Sequence, residues 1–131
     1  MAITNNKGMT VDYVPGKNMV KSAKVGAATP DEIKWLTNQL VTYSDKFKNS
    51  GWVYIVDISK MSPVTPDVST ELVNMTKAIL KNGCKGMAFV QGGAFMTTAQ
   101  AQQHQKQSNS TVKEGYFRTE EEAIKWGSSI L

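Results

Sequence analysis

The sequence predicts one α/β domain over residues 1–131, with a five-stranded mixed sheet and four helices in the order β-β-α-β-α-β-α-β-α. Three observations carry this prediction. Residues 9–25 alternate apolar and polar positions about a Pro15-Gly16 turn, as an antiparallel hairpin does. Residues 52–58 and 86–90 are short apolar runs rich in β formers, the pattern of strands covered on both faces. Amphipathic segments with helix-start signals lie between them, and strand–helix–strand units of this kind cross over right-handed to make parallel pairs.

In chain order, Met1–Lys7 is short and polar, so residues 1–8 are expected as a loose N-terminus with no secretory signal. Met9–Val14 and Met19–Val25 form the hairpin, joined by Pro15-Gly16-Lys17-Asn18 and ended by Gly26. Thr29-Pro30-Asp31-Glu32 opens the first helix: a capping threonine, proline at the first helical position and a glutamate completing the capping box. Ile33, Leu36, Leu40, Tyr43 and Phe47 then recur at helical spacing, Trp35 lies off that stripe, and Asn49-Ser50-Gly51 closes the segment. After the Trp52–Ile58 strand, Thr65-Pro66 repeats the cap-then-proline signal. Val68, Leu72, Met75 and Ile79 mark the buried stripe of the second helix, which Asn82-Gly83 stops. A short buried strand, Gly86–Val90, follows. Gly92-Gly93 breaks it, and Thr97–Gln107 reads as a third helix with a weak apolar face, placed at the surface. A fifth strand is centred on Tyr116-Phe117, and Thr119-Glu120-Glu121-Glu122 opens a last helix through Ala123, Trp126 and Ile130.

Composition narrows the function classes. Cys84 is the single cysteine, which excludes an internal disulfide and fits a reducing, cytoplasmic setting. The longest apolar runs are far too short to span a bilayer. The net charge is +4, yet Arg118 is the one arginine and the lysines are spread from Lys7 to Lys125. Phosphate and base recognition lean on clustered arginine, so the charge argues against nucleic acid.

The Val53-Tyr-Ile-Val-Asp57-Ile-Ser59 strand, the ending Tyr116-Phe-Arg-Thr-Glu-Glu-Glu-Ala-Ile-Lys-Trp126 and the element order together resemble the STAS superfamily, within it the SpoIIAA-like branch. The resemblance spans about residues 10 to 130 and includes no catalytic signature. It implies the fold of bacterial anti-sigma factor antagonists and a regulatory role exerted through a protein partner or a homodimer. In those antagonists the loop after the aspartate-bearing strand leads to a phosphorylatable serine beside an aspartate at the start of the next helix. Asp67-Val68-Ser69-Thr70 falls at that place, which makes Ser69 the candidate. The family's second serine and Gly-Leu pair are replaced by Val68, Thr70 and Glu71. A phosphate there would gain from the helix N-terminus and lose to the charges of Asp67 and Glu71. The resemblance also extends to CRAL-TRIO lipid-binding folds, which implies a small apolar-ligand carrier as the alternative.

The other chemistry-bearing residues read more plainly as structure. His104 has no ligand-spaced Cys, Asp or Glu and lies in Gln-rich sequence, so it reads as a surface residue. Cys84 precedes a buried strand and reads as a small hydrophobe rather than a thiolate tuned by Lys85. Asp57 closes the central strand where open α/β sheets place ligands, but the residue reads as a brace for the following loop. Gly92-Gly93 lacks the Lys-Ser/Thr or third glycine of a phosphate loop and reads as a tight turn.

Two functional expectations follow. A partner-binding module would use the loop and helix start around Ser62, Thr65, Asp67 and Ser69. A carrier would enclose an apolar pocket lined by Leu72, Met75, Phe89, Phe95 and Met96. An enzyme would need Asp57, Cys84 and His104 to converge; no catalytic residue, cofactor or metal is expected.

Overall fold

In the computed structural model, residues 3–4, 8–91 and 113–131 are described. They form strands β1 (Ile3–Thr4), β2 (Met9–Tyr13), β3 (Met19–Lys24), β4 (Trp52–Asp57), β5 (Cys84–Val90) and β6 (Lys113–Phe117). Helices α1 (Pro30–Ser44), α2 (Pro66–Lys81) and α3 (Glu120–Ile130) accompany them, with a 3₁₀ turn at Asp45–Phe47. The strands lie side by side in chain order, β1-β2-β3-β4-β5-β6. The β1/β2 and β2/β3 pairs are antiparallel, and the β3/β4, β4/β5 and β5/β6 pairs are parallel.

The mixed sheet is the one expected, with one strand more. Ile3 and Thr4 pair with Val11 and Thr10, so part of the segment expected to be loose extends the antiparallel edge. Two residues carry no periodicity, and the pairing comes from the exposed ladder of β2 rather than from a pattern of their own. Among the described residues there are three helices, and the helix expected over Thr97–Gln107 lies outside them.

The strand alternation divides the core into two layers. One face of the sheet presents Met9, Val11, Val20, Trp52, Tyr54, Met87 and Phe89 to α1 and α2. The other presents Met19, Val53, Ile55, Ala88 and Val90 to α3, which lays Ala123, Ile124, Trp126 and Ile130 against them. A bulge opposite Trp52 and Val53 admits one extra residue in β5, which puts Cys84 and Met87 on the same face. The α3 layer approaches closely because glycines stand at the contact: a methyl on Gly86 would lie 2.5 Å from Ile130 Cδ1, and one on Gly127 would lie 2.9 Å from Met19 Cε.

The helix starts follow the local signals in part. At α1 the full capping box is present: Glu32 N–H donates to Thr29 Oγ1 at 3.2 Å, and Thr29 N–H donates to Glu32 Oε1 at 2.9 Å. Thr119 caps α3 by accepting from Glu122 N–H. Thr65 stands at the N-cap of α2 but makes no capping bond; its hydroxyl donates to the Asp67 carboxylate instead. The apolar stripe of α1 outlasts the helix. After Ser44 the chain tightens into the 3₁₀ turn, where Phe47 packs edge-on to Tyr13 and Tyr43 stacks on the same ring. Trp35 is half-buried against the α1–α2 layer. Asn82 ties the far ends of the helices together: its side-chain amide donates to Val41 O and Ser44 Oγ, and its carbonyl accepts from Trp52 Nε1.

Candidate functional site

The α1–α2 layer does not close completely on the sheet. Beneath it lies an apolar cavity of about 60 Å³, well above the roughly 10–15 Å³ that admits one water. Ile33 and Leu36 come from α1, Leu72, Met75 and Thr76 from α2, and Met9, Tyr54, Val56, Met87 and Phe89 from the strands. Met61 and Val64, from the loop between β4 and α2, complete the wall. Lys24 and Asp57, the last residues of β3 and β4, also line it. The cavity therefore sits toward the carboxyl ends of parallel strands, where open α/β sheets bind their ligands.

Of the pocket residues expected from sequence, Leu72, Met75 and Phe89 converge here. The helical stripe and the buried strand that carried the expectation face each other across the void. Phe95 and Met96 lie outside the described residues.

The cavity's polar groups are engaged within the protein. Tyr54 Oη and Ser22 Oγ share a buried hydrogen bond between β4 and β3. Burial pushes the Tyr54 phenol well above its ordinary value, so it stays protonated. Thr76 Oγ1 donates to Leu72 O at 3.0 Å. Lys24, at the end of the alternating β3 strand, is 6% exposed and donates to Glu32 Oε2 at 2.8 Å. Burial raises the Glu32 carboxyl, but the hydrogen bonds from Lys24 and the Thr29 backbone outweigh it and hold the group below its usual range. One residue thus completes the α1 capping box and neutralises a buried cation. No sequence signal beyond the capping box itself points to Glu32, because its partner stands eight residues earlier in a strand.

Asp57 does what its place predicts for a brace. Its Oδ1 accepts from Ser59 N–H at 2.9 Å and from Ser59 Oγ at 2.6 Å, fixing the start of the β4–α2 loop. That loop is pinned to the end of β3 by Gly26 N–H to Lys60 O and Ser62 N–H to Gly26 O. Thr65 and Asp67 are exposed, while Ser62 and Ser69 are half-buried; Ser69 N–H donates to Thr65 O in the first turn of α2. Hydrogen bonds from Thr65 and the Val68 backbone lower the Asp67 carboxyl below its usual range, so it is charged beside Ser69.

The residues an enzyme would have needed do not converge. Asp57 pairs with Val90 at one end of the sheet and Cys84 with Trp52 at the other. Five residues of strand separate them, roughly 17 Å. Burial pushes the Cys84 thiol up to about 12, and it donates to Gly86 O. His104 lies outside the described residues. Among the described residues no three His, Cys, Asp or Glu side chains are grouped to hold a metal, and no helix is long and apolar enough to cross a membrane. A second opening, a surface cleft of about 310 Å³ lined by Gly16–Met19, Ser50, Gly51, Ser128 and Leu131, lies at the amino ends of β3 and β4.

Neither a protein-family model nor a curated protein matches the chain. Solved structures do, among them two of this fold. An uncharacterized protein of the DUF3478 family with a SpoIIAA-like fold, from Shewanella loihica PV-4, superposes with a TM-score of 0.73 at 15% identity, covering 95% of this chain and 98% of its own. An anti-sigma factor antagonist from Mycobacterium paratuberculosis superposes with a TM-score of 0.56 at 9% identity, covering 96% and 99%. The chain therefore has the SpoIIAA-like α/β fold that its sequence resembles.

Proposed function

We propose that the protein is a non-catalytic binding module that takes a small, mostly apolar molecule into the cavity between α1, α2 and the sheet. The observation that carries this reading is the cavity itself: an apolar void at the carboxyl ends of parallel strands, walled by Met9, Met61, Met75, Met87 and Phe89. Methionine-rich walls adapt to an occupant with little rotamer strain. The wide separation of Asp57 and Cys84 supports the non-catalytic part. Toluene titrated against protein carrying labelled methionine methyls tests it. The Met9, Met75 and Met87 methyl signals should shift, while Met19, which packs beneath α3 on the opposite face, stays fixed. Shifts at all four, or at none, would remove the pocket reading.

A second reading, binding of a protein partner, is favoured by one observation: the fold is shared with an anti-sigma factor antagonist. Its surface would be the β4–α2 loop and first turn of α2, with Ser62, Thr65, Asp67 and Ser69, and the partner a regulatory protein or a second copy. The two readings share a wall, since Met61 and Val64 belong both to that segment and to the cavity. Mass spectrometry of the protein purified from its own host, with the phosphate site mapped, tests the switch at Ser69. An unmodified Ser69 under all growth conditions would remove it.

A further inference from the structure

The cavity wall also determines what kind of molecule the pocket accepts. Among the described residues Lys24 is the one basic residue on that wall, and its ammonium is bound to Glu32 at 2.8 Å. Glu32 itself does not line the cavity. The second charge on the wall is Asp57, a carboxylate at the end of β4. Among the described residues, Lys24, Glu32 and Asp57 together bring two negative charges against one positive. A carboxylate entering here would lose its hydration, meet in Lys24 a cation already paired with Glu32, and face two like charges. A neutral hydroxyl or carbonyl meets a different environment. Tyr54 and Ser22 hold two hydroxyl protons and need only one for their mutual bond, so the pair can donate once more without breaking.

We infer that the cavity selects a neutral apolar molecule bearing one hydroxyl or carbonyl group and rejects the corresponding carboxylate, because the one cation on its wall among the described residues is held by Glu32. The inference rests on the pocket reading above and narrows it to a ligand class. It separates this pocket from the common design for fatty acids, in which an unpaired basic side chain meets the headgroup. Glu32 is then the specificity-determining residue, acting through Lys24 without touching the ligand.

A matched pair of probes tests this at neutral pH: n-pentanol and pentanoate, read by methionine-methyl shifts and by thermal shift. The wild-type protein should bind n-pentanol at least about tenfold more tightly than pentanoate, the scale of one uncompensated charge–charge contact in a partly buried site. The Glu32→Gln variant should abolish the preference. Glutamine at this position still accepts from Thr29 N–H and keeps the capping box, while the negative charge of Glu32 beside Lys24 is gone. Pentanoate affinity should rise about tenfold or more, with n-pentanol within about threefold of wild type. Pentanoate binding the wild type as tightly as n-pentanol would overturn the inference and leave the pocket reading standing. Failure of both probes, together with toluene, to shift Met9, Met75 and Met87 would overturn the pocket reading and this inference with it. Should Glu32→Gln fail to fold, Lys24→Met supplies the complementary result: removing the cation must leave n-pentanol binding intact, and loss of n-pentanol binding in a folded variant would overturn the inference.

Discussion

Lys24 Nζ donates to Glu32 Oε2 at 2.8 Å, joining the last residue of β3 to the first turn of α1, with each residue 6% exposed. Removing the Glu32 carboxylate takes its charge from a buried ion pair. Glu32→Ala should therefore destabilise the protein by about 3–5 kcal/mol, with part of the loss coming from the broken capping box. Glu32→Gln should cost distinctly less, because the amide oxygen still accepts from Thr29. Urea denaturation of the two variants side by side measures the difference; equal costs would mean that the cap, not the charge pair, carries the effect.

The same carboxylate makes stability depend on pH. Its folded pKa is lowered from the ordinary value of 4.5. A depressed carboxylate binds fewer protons in the folded state than in the unfolded one, so its contribution is complete above 4.5 and lost as pH falls through the folded value. The urea midpoint of the wild type should drop, as pH falls below 4.5, by more than that of Glu32→Gln, which has no proton to bind at this position. Parallel curves would show that other carboxylates dominate the acid limb.

The buried hydroxyl pair of Ser22 and Tyr54 is a case where deleting one partner costs more than deleting both. Ser22→Ala leaves the Tyr54 hydroxyl, fully buried, without its strand-to-strand partner, at about 1–3 kcal/mol. Adding Tyr54→Phe removes the stranded group, and the double variant should recover about 1 kcal/mol relative to the sum of the single changes. A double-mutant cycle by chemical denaturation reads the coupling directly.

Leu72 is half-buried on α2 and lines the cavity, so a larger side chain there can grow into the void instead of into packed neighbours. Leu72→Trp should weaken toluene binding by about tenfold or more while stability stays within about 1–2 kcal/mol of wild type. If binding survives, the probe occupies some other site.

What the sequence made legible follows from the range of each signal. The Thr29–Glu32 box, the Pro15-Gly16 hairpin and the two buried strands are local, and all appear in the structure. That Leu72, Met75 and Phe89 lie on one side of the sheet was legible because a helical stripe and a covered strand must face each other in this fold. Lys24 was not. In a strand that alternates, lysine signals solvent, and only the placement of α1 over the end of β3 buries it beside Glu32. Thr65 carried the right residue type for a cap, yet Asp67, two residues on, offered its hydroxyl a stronger charged acceptor. Asn82 was legible as a helix stop but not as the tie between α1, α2 and Trp52, since its partners lie about thirty to forty residues away.

Two glycines with left-handed backbone separate strain from collision. Gly16, in the hairpin turn, has φ +73° and open space where a methyl would stand. Gly83, just past α2, has φ +91°, and a methyl there would lie 2.4 Å from Lys48 O and 2.9 Å from Lys48 Cα. Those are backbone atoms of the segment leading into β4, which cannot swing aside as a side chain can. Gly16→Ala should therefore cost only the conformational strain, about 1 kcal/mol. Gly83→Ala should cost about 3 kcal/mol or more, because the same strain is joined by displacement of the Lys48 backbone beside Gly51 and Trp52. Chemical denaturation of both variants decides between the terms. Equal losses would mean that the 48–51 turn yields freely, and that the junction of α2 and β5 is softer than its close contacts imply.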